Sequence, residues 1–550
     1  MSRSEESRAI VERIVVEGDL VLLTPTSLGN GDDDGLTDVP LMLDELEGKA
    51  ALTGTSIAGA LRNYLREREK GYGIEEDRGS ASLKLFGFVE GKEGDQSCLI
   101  VDDSIGRKPE TELRDGVKIE SKTRTAFIDD KGKGSKFDIE LLEAGTAFKL
   151  CFELLISDAK TKDKDGNEIP ARDELLKAFA TALQGFEKGE IYLGARKRRG
   201  YGECKVENWT VKYYSLKTKN GLLSWLGLDK TKLKDIKAEE INEFQGTAIK
   251  ETLKTAFNLT NEIQTDEDKR AYFELDAWFA LDGSMLIRSG SKLGVSDKAQ
   301  PDSVHLRSKR GNDTKPIVSG TSLAGVLRHR AVRIVNTLKP DNDGKFVEEI
   351  FGADMKELEE RNKKKGTKKQ PFASRLEVRE TVIKNTNDLV QTRVKIDRFT
   401  GGAFEGALFD AAPVFSNGEK QAINLKLRLR TGRLKKDDGT LEADEENKSR
   451  TEAEIGLLLL LLKDLWTSDL AIGGESSIGR GRLKGKTACL NYKNGTGSWH
   501  ANLEQQSDGT IKISGQRNKD ELNKLVEQFN RKLNPTNTTD KNEDANDKQN

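Results

Sequence analysis

Gly54-Thr55-Ser56-Ile57-Ala58-Gly59-Ala60-Leu61-Arg62 returns as Gly320-Thr321-Ser322-Leu323-Ala324-Gly325-Val326-Leu327-Arg328, 266 residues further along. Seven of the nine positions are identical and the other two are apolar in both copies. So dense a match within one chain marks a duplicated domain. Small residues and two hydroxyls stand just ahead of an apolar period (Ile57, Leu61, Leu65; Leu323, Leu327), which predicts a helix starting here with Thr or Ser as its N-cap. Such a start offers free N–H groups and the positive end of the helix dipole to an anion. Arg62 and Arg66 lie one turn apart on one face, and beyond Arg328 the pair Arg330 and Arg333 repeats the arrangement. The motif reads as a phosphate grip built twice.

The rest of the composition limits what such a grip can be. At 550 residues the chain has room for two to four domains. Lys plus Arg (91) nearly balance Asp plus Glu (93), so a polyanion must be met by local patches rather than by a global field. Most of these charges read as solvated surface. The opening MSRSEESRAIVER lacks the apolar core of a secretory signal. The apolar run Ile455 to Leu462 is too short to span a bilayer and reads as a buried helix. Cys98, Cys151, Cys204 and Cys489 are far apart, and three histidines add no zinc pattern. A reducing, cytoplasmic compartment without a membrane partner is expected.

Two further repeats extend the duplication. Leu193-Gly194-Ala195-Arg196-Lys197-Arg198-Arg199-Gly200-Tyr201-Gly202 answers Ile472-Gly473-Gly474-Glu475-Ser476-Ser477-Ile478-Gly479-Arg480-Gly481, a shift of 279. Each follows an apolar helical stretch, and Arg196, Arg198 and Arg199, or Arg480 and Arg482, supply charge. The bland reading is a tight helix-to-strand turn with exposed arginines; the paired copy favours polyanion contact. Looser is Val117-Lys118-Ile119-Glu120 beside Val394-Lys395-Ile396-Asp397, a shift of 277, with Arg124 and Arg398 close behind. Alternating strands open each half at Ile10 to Leu23 and Tyr272 to Leu281. The order strand, acidic loop, helix, strands, helix, Gly-rich turn, strand is an α+β pattern of the split βαβ kind. Domains are expected at 5–215 and 265–495, with a helical connector at 216–264 carrying its own small core (Trp225, Leu226, Leu233, Ile236), and a polar, largely disordered tail at 496–550.

Taken together, GTSxAGxLR, the internal DRFTGGAFEGALF and the late IGGESSIGRGRL resemble the RAMP superfamily of type III CRISPR effectors, and each half resembles the backbone subunit that lines guide RNA and cleaves bound target RNA. The resemblance implies two tandem modified ferredoxin-like (RRM-like) domains with loop and thumb insertions, and a tandem fusion like that of the subtype D variants. It also implies guide RNA, target RNA and other type III effector subunits as partners. Catalysis in that family rests on an aspartate in a loop ahead of the GTS helix. Thr37-Asp38-Val39-Pro40-Leu41 matches that context, and Pro301-Asp302-Ser303-Val304 occupies the corresponding loop without the following proline.

One carboxylate beside a phosphodiester can hold Mg²⁺ or Mn²⁺, and can position or deprotonate a ribose 2′-OH. Asp33 and Asp34, within Asp32-Asp33-Asp34, are local rivals, although such a run also suits a solvated loop. His305, three residues past Asp302, is a candidate general acid or RNA contact. Three functions follow: a guide-binding subunit that cuts target RNA, a non-catalytic RNA-binding scaffold, or a guide-processing endoribonuclease, the last disfavoured by two full GTS helices and few histidines. RNA recognition should be sequence-neutral, through phosphates and riboses, with base identity left to pairing.

Overall fold

The computed structural model describes residues 9–535, outside which lie 1–8 and 536–550, and also excepting 30–39, 92, 118, 121–122, 124, 129–135, 159, 163–167, 228–242, 258–262, 264–266, 290–300, 354–357, 360–361, 364–371, 419, 437–438 and 496. The chain divides into two compact units, one of Met1–Arg270 with Ser289–Val295 and Arg307–Lys315, the other of Ala271–Arg288, Ser296–Leu306 and Pro316–Asn550.

In the first unit Ile10–Leu22 is the central strand, and its alternation buries Ile14, Val16, Gly18, Leu20 and Leu22 on one face. It pairs antiparallel with Cys204–Ser215 on one side and Ala147–Ser157 on the other, and Leu99–Val101 lies beyond the latter. The helices Gly54–Lys70 and Ala171–Glu187 fall between these strands in sequence. The resulting order strand–helix–strand–strand–helix–strand, with the last strand beside the first, is the ferredoxin-like topology. The second unit repeats it: Tyr272–Asp282 sits between Arg482–Asn494 and Ile423–Arg430, with Leu376–Val378 outermost and helices Gly320–Leu338 and Asp444–Trp466. Each core closes on aromatic contacts between strand and long helix, Phe152 with Phe179 in one and Phe279 with Trp466 in the other. The run Ile455 to Leu462 lies within the long helix Asp444–Trp466, and most of its residues are buried.

Two sequence expectations are corrected. The connector 216–264 is not a core of its own. Its strand Glu243–Gly246 pairs with Cys204–Ser215, and Ile249 and Leu253 of the helix Ile249–Ala256 enter the first unit's core. Trp225 packs edge-on to Tyr214 and under Arg13, Leu226 is exposed, and Leu233 and Ile236 lie outside the described residues. The tail is ordered to Pro535: Gly497–Gln505 and Ile511–Gly515 extend the second sheet, and helix Lys519–Leu533 buries Leu522, Phe529 and Leu533. Residues 536–550 lie outside the described ones. The two additions are counterparts, since each adds a strand next to the final core strand and a helix against the long helix.

Both units also carry a hairpin inserted between the second and third core strands. In the first it is Thr111–Val117 with Lys136–Leu142, and in the second Gln391–Ile396 with Ala403–Ala412.

Candidate nucleic-acid interface

Both GTS helices begin at their glycine, so the cap is one residue earlier than the motif. Thr53 and Ser319 are the N-caps, with φ/ψ of −72/142° and −70/141°. The Thr53 hydroxyl accepts from Ser56 N at 3.3 Å and from the Thr55 hydroxyl at 3.1 Å, and donates to Ser56 Oγ at 2.9 Å. Ser319, Thr321 and Ser322 repeat the triad with 3.3, 3.2 and 2.9 Å. Gly54 is required sterically, because a Cβ there would stand 2.2 Å from Val101 O, and its N–H donates to Asp103 Oδ1 at 2.6 Å. The first amide of that helix is therefore already answered by a carboxylate. Gly59 and Gly325 differ from it. Both are exposed, and among the described residues a Cβ on either meets nothing within 4 Å. Glycine inside a helix costs roughly 0.5–1 kcal/mol relative to alanine, and no described neighbour needs it there. The smooth helix face it leaves suits close approach of another backbone.

The arginines of these helices divide. Arg62 is clamped by Glu76, Nε to Oε1 at 3.0 Å and Nη2 to Oε2 at 2.7 Å. Arg66 bonds Asn63, one turn back. Arg328 is half-buried and has no ion pair among the described residues. Arg330 is a correction: two residues beyond Arg328 it points roughly 200° around the helix and its Nε meets Asp464 Oδ2 at 2.6 Å. It ties one helix to another.

The Gly-rich turns match in backbone conformation at equivalent positions. Arg196 and Glu475, both left-handed, have φ/ψ of 55/29° and 59/32°. Single turns of 3₁₀ helix follow, Lys197–Arg199 and Ser476–Ile478, closed by left-handed Gly200 and Gly479. Gly202 and Gly481 then sit at φ 78° and 77°, where a Cβ would fall 1.8 Å from Leu193 O and 2.0 Å from Ile472 O. Glycine is the residue that permits both features. The charges on this shared backbone differ. Arg196 is exposed and stacks over the Phe137 ring at 4.6 Å, while Arg198 and Arg199 are half-buried and engaged within the chain. Arg480 is a correction, being 3% exposed with Nε on Glu475 at 2.9 Å and Nη2 on Gln391 at 2.6 Å. Glu475 also takes Arg393 at 2.9 Å and Arg288 at 3.3 Å. Burial pushes its carboxyl up, and these three arginines outweigh it and hold it below the usual carboxylate range. Arg482 is exposed at the start of the last core strand.

The hairpins carry the third repeat in register. Ile119 bridges Ala126 and Ile396 pairs with Ala403; Glu120 N donates to Thr125 O, and Asp397 N to Gly402 O, both at 2.9 Å. Every one of these matches keeps the 277-residue shift. In the second hairpin Asp397 Oδ1 accepts from Phe399 N at 2.7 Å and holds the tip, where Phe399 is 101% exposed beside exposed Arg398. Val394, Ile396, Phe404 and Leu408 are exposed along its length. Phe399 is the residue that the charge-based reading passed over. Its signal is a large apolar side chain next to Thr-Gly-Gly turn residues. Arg124, in the first tip, lies outside the described residues.

Of the acidic candidates, Asp33, Asp34 and Asp38 lie outside the described residues. Asp302 is exposed, and its Oδ2 accepts from Asp410 N at 2.9 Å, which fastens the loop to the hairpin strand running parallel to Ser303–His305. Asp410 Oδ1 is buried and has no hydrogen-bond partner among the described residues. Among the described residues no group of three or more His, Cys, Asp or Glu could hold a metal ion. His305 is a correction: it is 2% exposed, its Nδ1 accepts from Ile287 N at 3.1 Å, and its Nε2 lies 3.0 Å from Ile317 O. Both ring nitrogens are committed to backbone groups, so it braces the loop and is not placed to transfer protons to RNA.

A family model of the RAMP superfamily matches residues 19–205 and again 279–484. The chain belongs to the RAMP superfamily. No curated protein matches it. Each match runs from the first core strand through the GTS helix, the hairpin and the Gly-rich turn, so the chain holds two RAMP domains in tandem. RAMP proteins bind RNA and act in CRISPR complexes. The added strand and helix of each RAMP unit fall beyond the matches. Among the described residues no helix is long and apolar enough to cross a membrane.

Proposed function

We propose that this chain is a guide-RNA-binding backbone subunit of a type III CRISPR effector, resembling the tandem fusion of the subtype D variants, and that it cleaves guide-paired target RNA in antiviral defence. The observation that carries the reading is that GTS helix, exposed hairpin and Gly-rich turn recur as a set, with fixed shifts, in two RAMP domains. A ligand with its own repeating backbone meets equivalent groups twice. The exposed hydroxyls of Thr55 and Ser56, their counterparts Thr321 and Ser322, and Arg66, Arg196, Arg328, Arg398 and Arg482 serve as its phosphate and ribose contacts. Contacts of this kind position RNA without reading sequence. Guide pairing supplies the identity of the target.

Cleavage is assigned to Asp38 in the first loop and Asp302 in the second. Asp302 fits the role in that it is exposed and, among the described residues, only one of its oxygens is committed, to Asp410 N. The other is available to take a proton or to reach an Mg²⁺ or Mn²⁺ that keeps most of its waters. When bound, that ion would supply charge stabilisation at the phosphate. The carboxylate accepts the proton of the ribose 2′-OH, the 2′ oxygen attacks the adjacent phosphorus, the P–O5′ bond breaks, and the leaving oxygen takes a proton from water. Products then carry a cyclic phosphate and a 5′-OH.

The test is to assemble the chain with a guide and labelled matching target, with and without Mn²⁺, and to read target length and end chemistry. Cyclic-phosphate ends at two regularly displaced cuts support the reading. Guide binding without any cut leaves the scaffold function, and cutting of the guide precursor instead leaves guide processing.

A further inference from the structure

The left-handed residue of each Gly-rich turn touches the hairpin of its own unit. In the first unit the Arg196 guanidinium lies 4.6 Å over the ring of Phe137, on the returning hairpin strand. In the second, Glu475 Oε2 meets Arg393 Nη1 at 2.9 Å, on the outgoing strand. Five residues further along each turn a second contact follows the same path. Tyr201 lies under Arg114 at 5.3 Å, and Arg480 donates to Gln391 at 2.6 Å. Tyr201 and Arg480 are related by the turn's 279-residue shift, Arg114 and Gln391 by the hairpin's 277.

The hairpin side is matched as well. Gly116 stands opposite Phe137, and a Cβ on Gly116 would be 2.0 Å from that ring, so the aromatic lies flat where a side chain would project. The same position in the second hairpin, 277 residues on, is Arg393. One contact has therefore been kept in place while its chemistry was exchanged. The cation is on the turn and the acceptor on the hairpin in one unit, and the reverse holds in the other. The second contact is buried in both units, with Arg114, Tyr201 and Arg480 4%, 2% and 3% exposed.

We propose that each Gly-rich turn is a latch that fixes the angle of its own hairpin, with Arg196–Phe137 and Glu475–Arg393 as positioning pairs that cannot substitute for one another. An arginine at position 475 would face Arg288, Arg393 and Arg480, and a glutamate at 196 would face the negative face of an aromatic ring. Each latch is made within the compact unit that carries its hairpin. The pairs touch no reacting group. Their effect on RNA rests on the function proposed above, whereas the latch itself is a property of the RNA-free chain and is tested there.

The experiment is backbone amide hydrogen exchange on the RNA-free full chain, which reads local opening of each hairpin separately. Glu475→Gln and Arg393→Gln are each expected to speed exchange across Gln391–Ala412 by about tenfold, and the double variant by no more than either alone, the signature of one shared contact. Exchange across Thr111–Leu142 stays at the wild-type rate. Arg196→Ala and Phe137→Leu, alone and together, should show the mirror pattern in the first hairpin only. Additive effects in both cycles, unchanged exchange, or changes that spread to both hairpins would each overturn the proposal. Far-UV circular dichroism on each variant separates hairpin release from global unfolding, and global unfolding in one unit leaves the other unit's cycle to decide.

Discussion

Arg62 and Glu76 form a two-pronged ion pair, 3.0 and 2.7 Å, on the face of the first GTS helix that its sequence marks as a phosphate grip. The carboxyl of Glu76 feels burial, which raises it, and the Arg62 guanidinium, which outweighs burial and holds it below the usual range. Its counterpart Arg328, on the second GTS helix, has no such partner among the described residues. Among the described residues the two arginines are therefore unequally engaged.

That inequality sets the first prediction. Arg328→Ala should weaken guide binding for unrelated sequences alike and shallow the salt dependence by about one counterion. Arg62→Ala should change affinity much less. Glu76→Gln, by releasing Arg62, should tighten binding and steepen the slope by about one. Fluorescence anisotropy with two unrelated guides across a salt series checks all three. Equal losses from Arg62→Ala and Arg328→Ala would show that the ion pair opens to admit RNA.

Asp302 gives the second. Asparagine can still accept from Asp410 N, so Asp302→Asn keeps the loop fastened while removing the charge. Loss of one target cut by roughly 10²–10⁴-fold, with guide affinity intact, is expected, and Asp38→Asn should remove the other cut. EDTA should suppress both. Denaturing gels of end-labelled target read the result, and two unaltered cuts would clear both aspartates of a chemical role.

Gly325 tests the exposed helix face. With open space around its Cβ position, Gly325→Ala should stabilise the chain by roughly 0.5–1 kcal/mol. Gly325→Leu should keep that stability and cost at least several-fold in RNA affinity, because the branched side chain stands where a backbone would pass. Thermal melts and anisotropy on the same samples decide it. If Gly325→Leu binds as tightly as the parent, nothing approaches that face.

Glu454 tests the core of the second unit. It is 0% exposed and bridges Arg375 and Arg450, the latter at 2.9 Å. Burial raises its pKa, and the two arginines outweigh it, leaving it lowered. A depressed folded-state pKa contributes stability above the unfolded value of about 4.3, lost as pH falls from there through the folded value. Glu454→Ala should destabilise the chain at neutral pH by taking the shared carboxylate from buried Arg450 and half-buried Arg375, with Arg450 retaining Glu442 at 3.0 Å. Urea melts from pH 7 to 3 should show a steeper acid loss in the parent than in Glu454→Gln, and parallel curves would contradict the assignment.

The duplication was legible because steric demands are written locally. Gly202 and Gly481 must be glycine for reasons confined to one turn, and a periodic apolar face announces its own helix. Charge is not local in this way. Nothing near Arg330 in sequence reveals Asp464, and Arg480 looked exposed although the glutamate that buries it lies five residues earlier in the same motif. The ordered C-terminal segment was missed for a related reason. Helix Lys519–Leu533 rests on Leu522, Phe529 and Leu533, and Gly497–Gln505 turns only Ala501 fully inward. Averaged composition hides so thin a stripe, whereas packing against the long helix, with Gly456 under Leu525 O, makes it sufficient.

The outermost strands of the two main sheets have a consequence for assembly. They are Glu243–Gly246 and Leu99–Val101 in one, and Leu376–Val378 and Ile511–Gly515 in the other, three to five residues each. A short margin offers a passing chain too few unpaired amides to recruit it as an extra strand. Each unit is thereby guarded against the kind of polymer in which sheets of different copies zip together edge to edge.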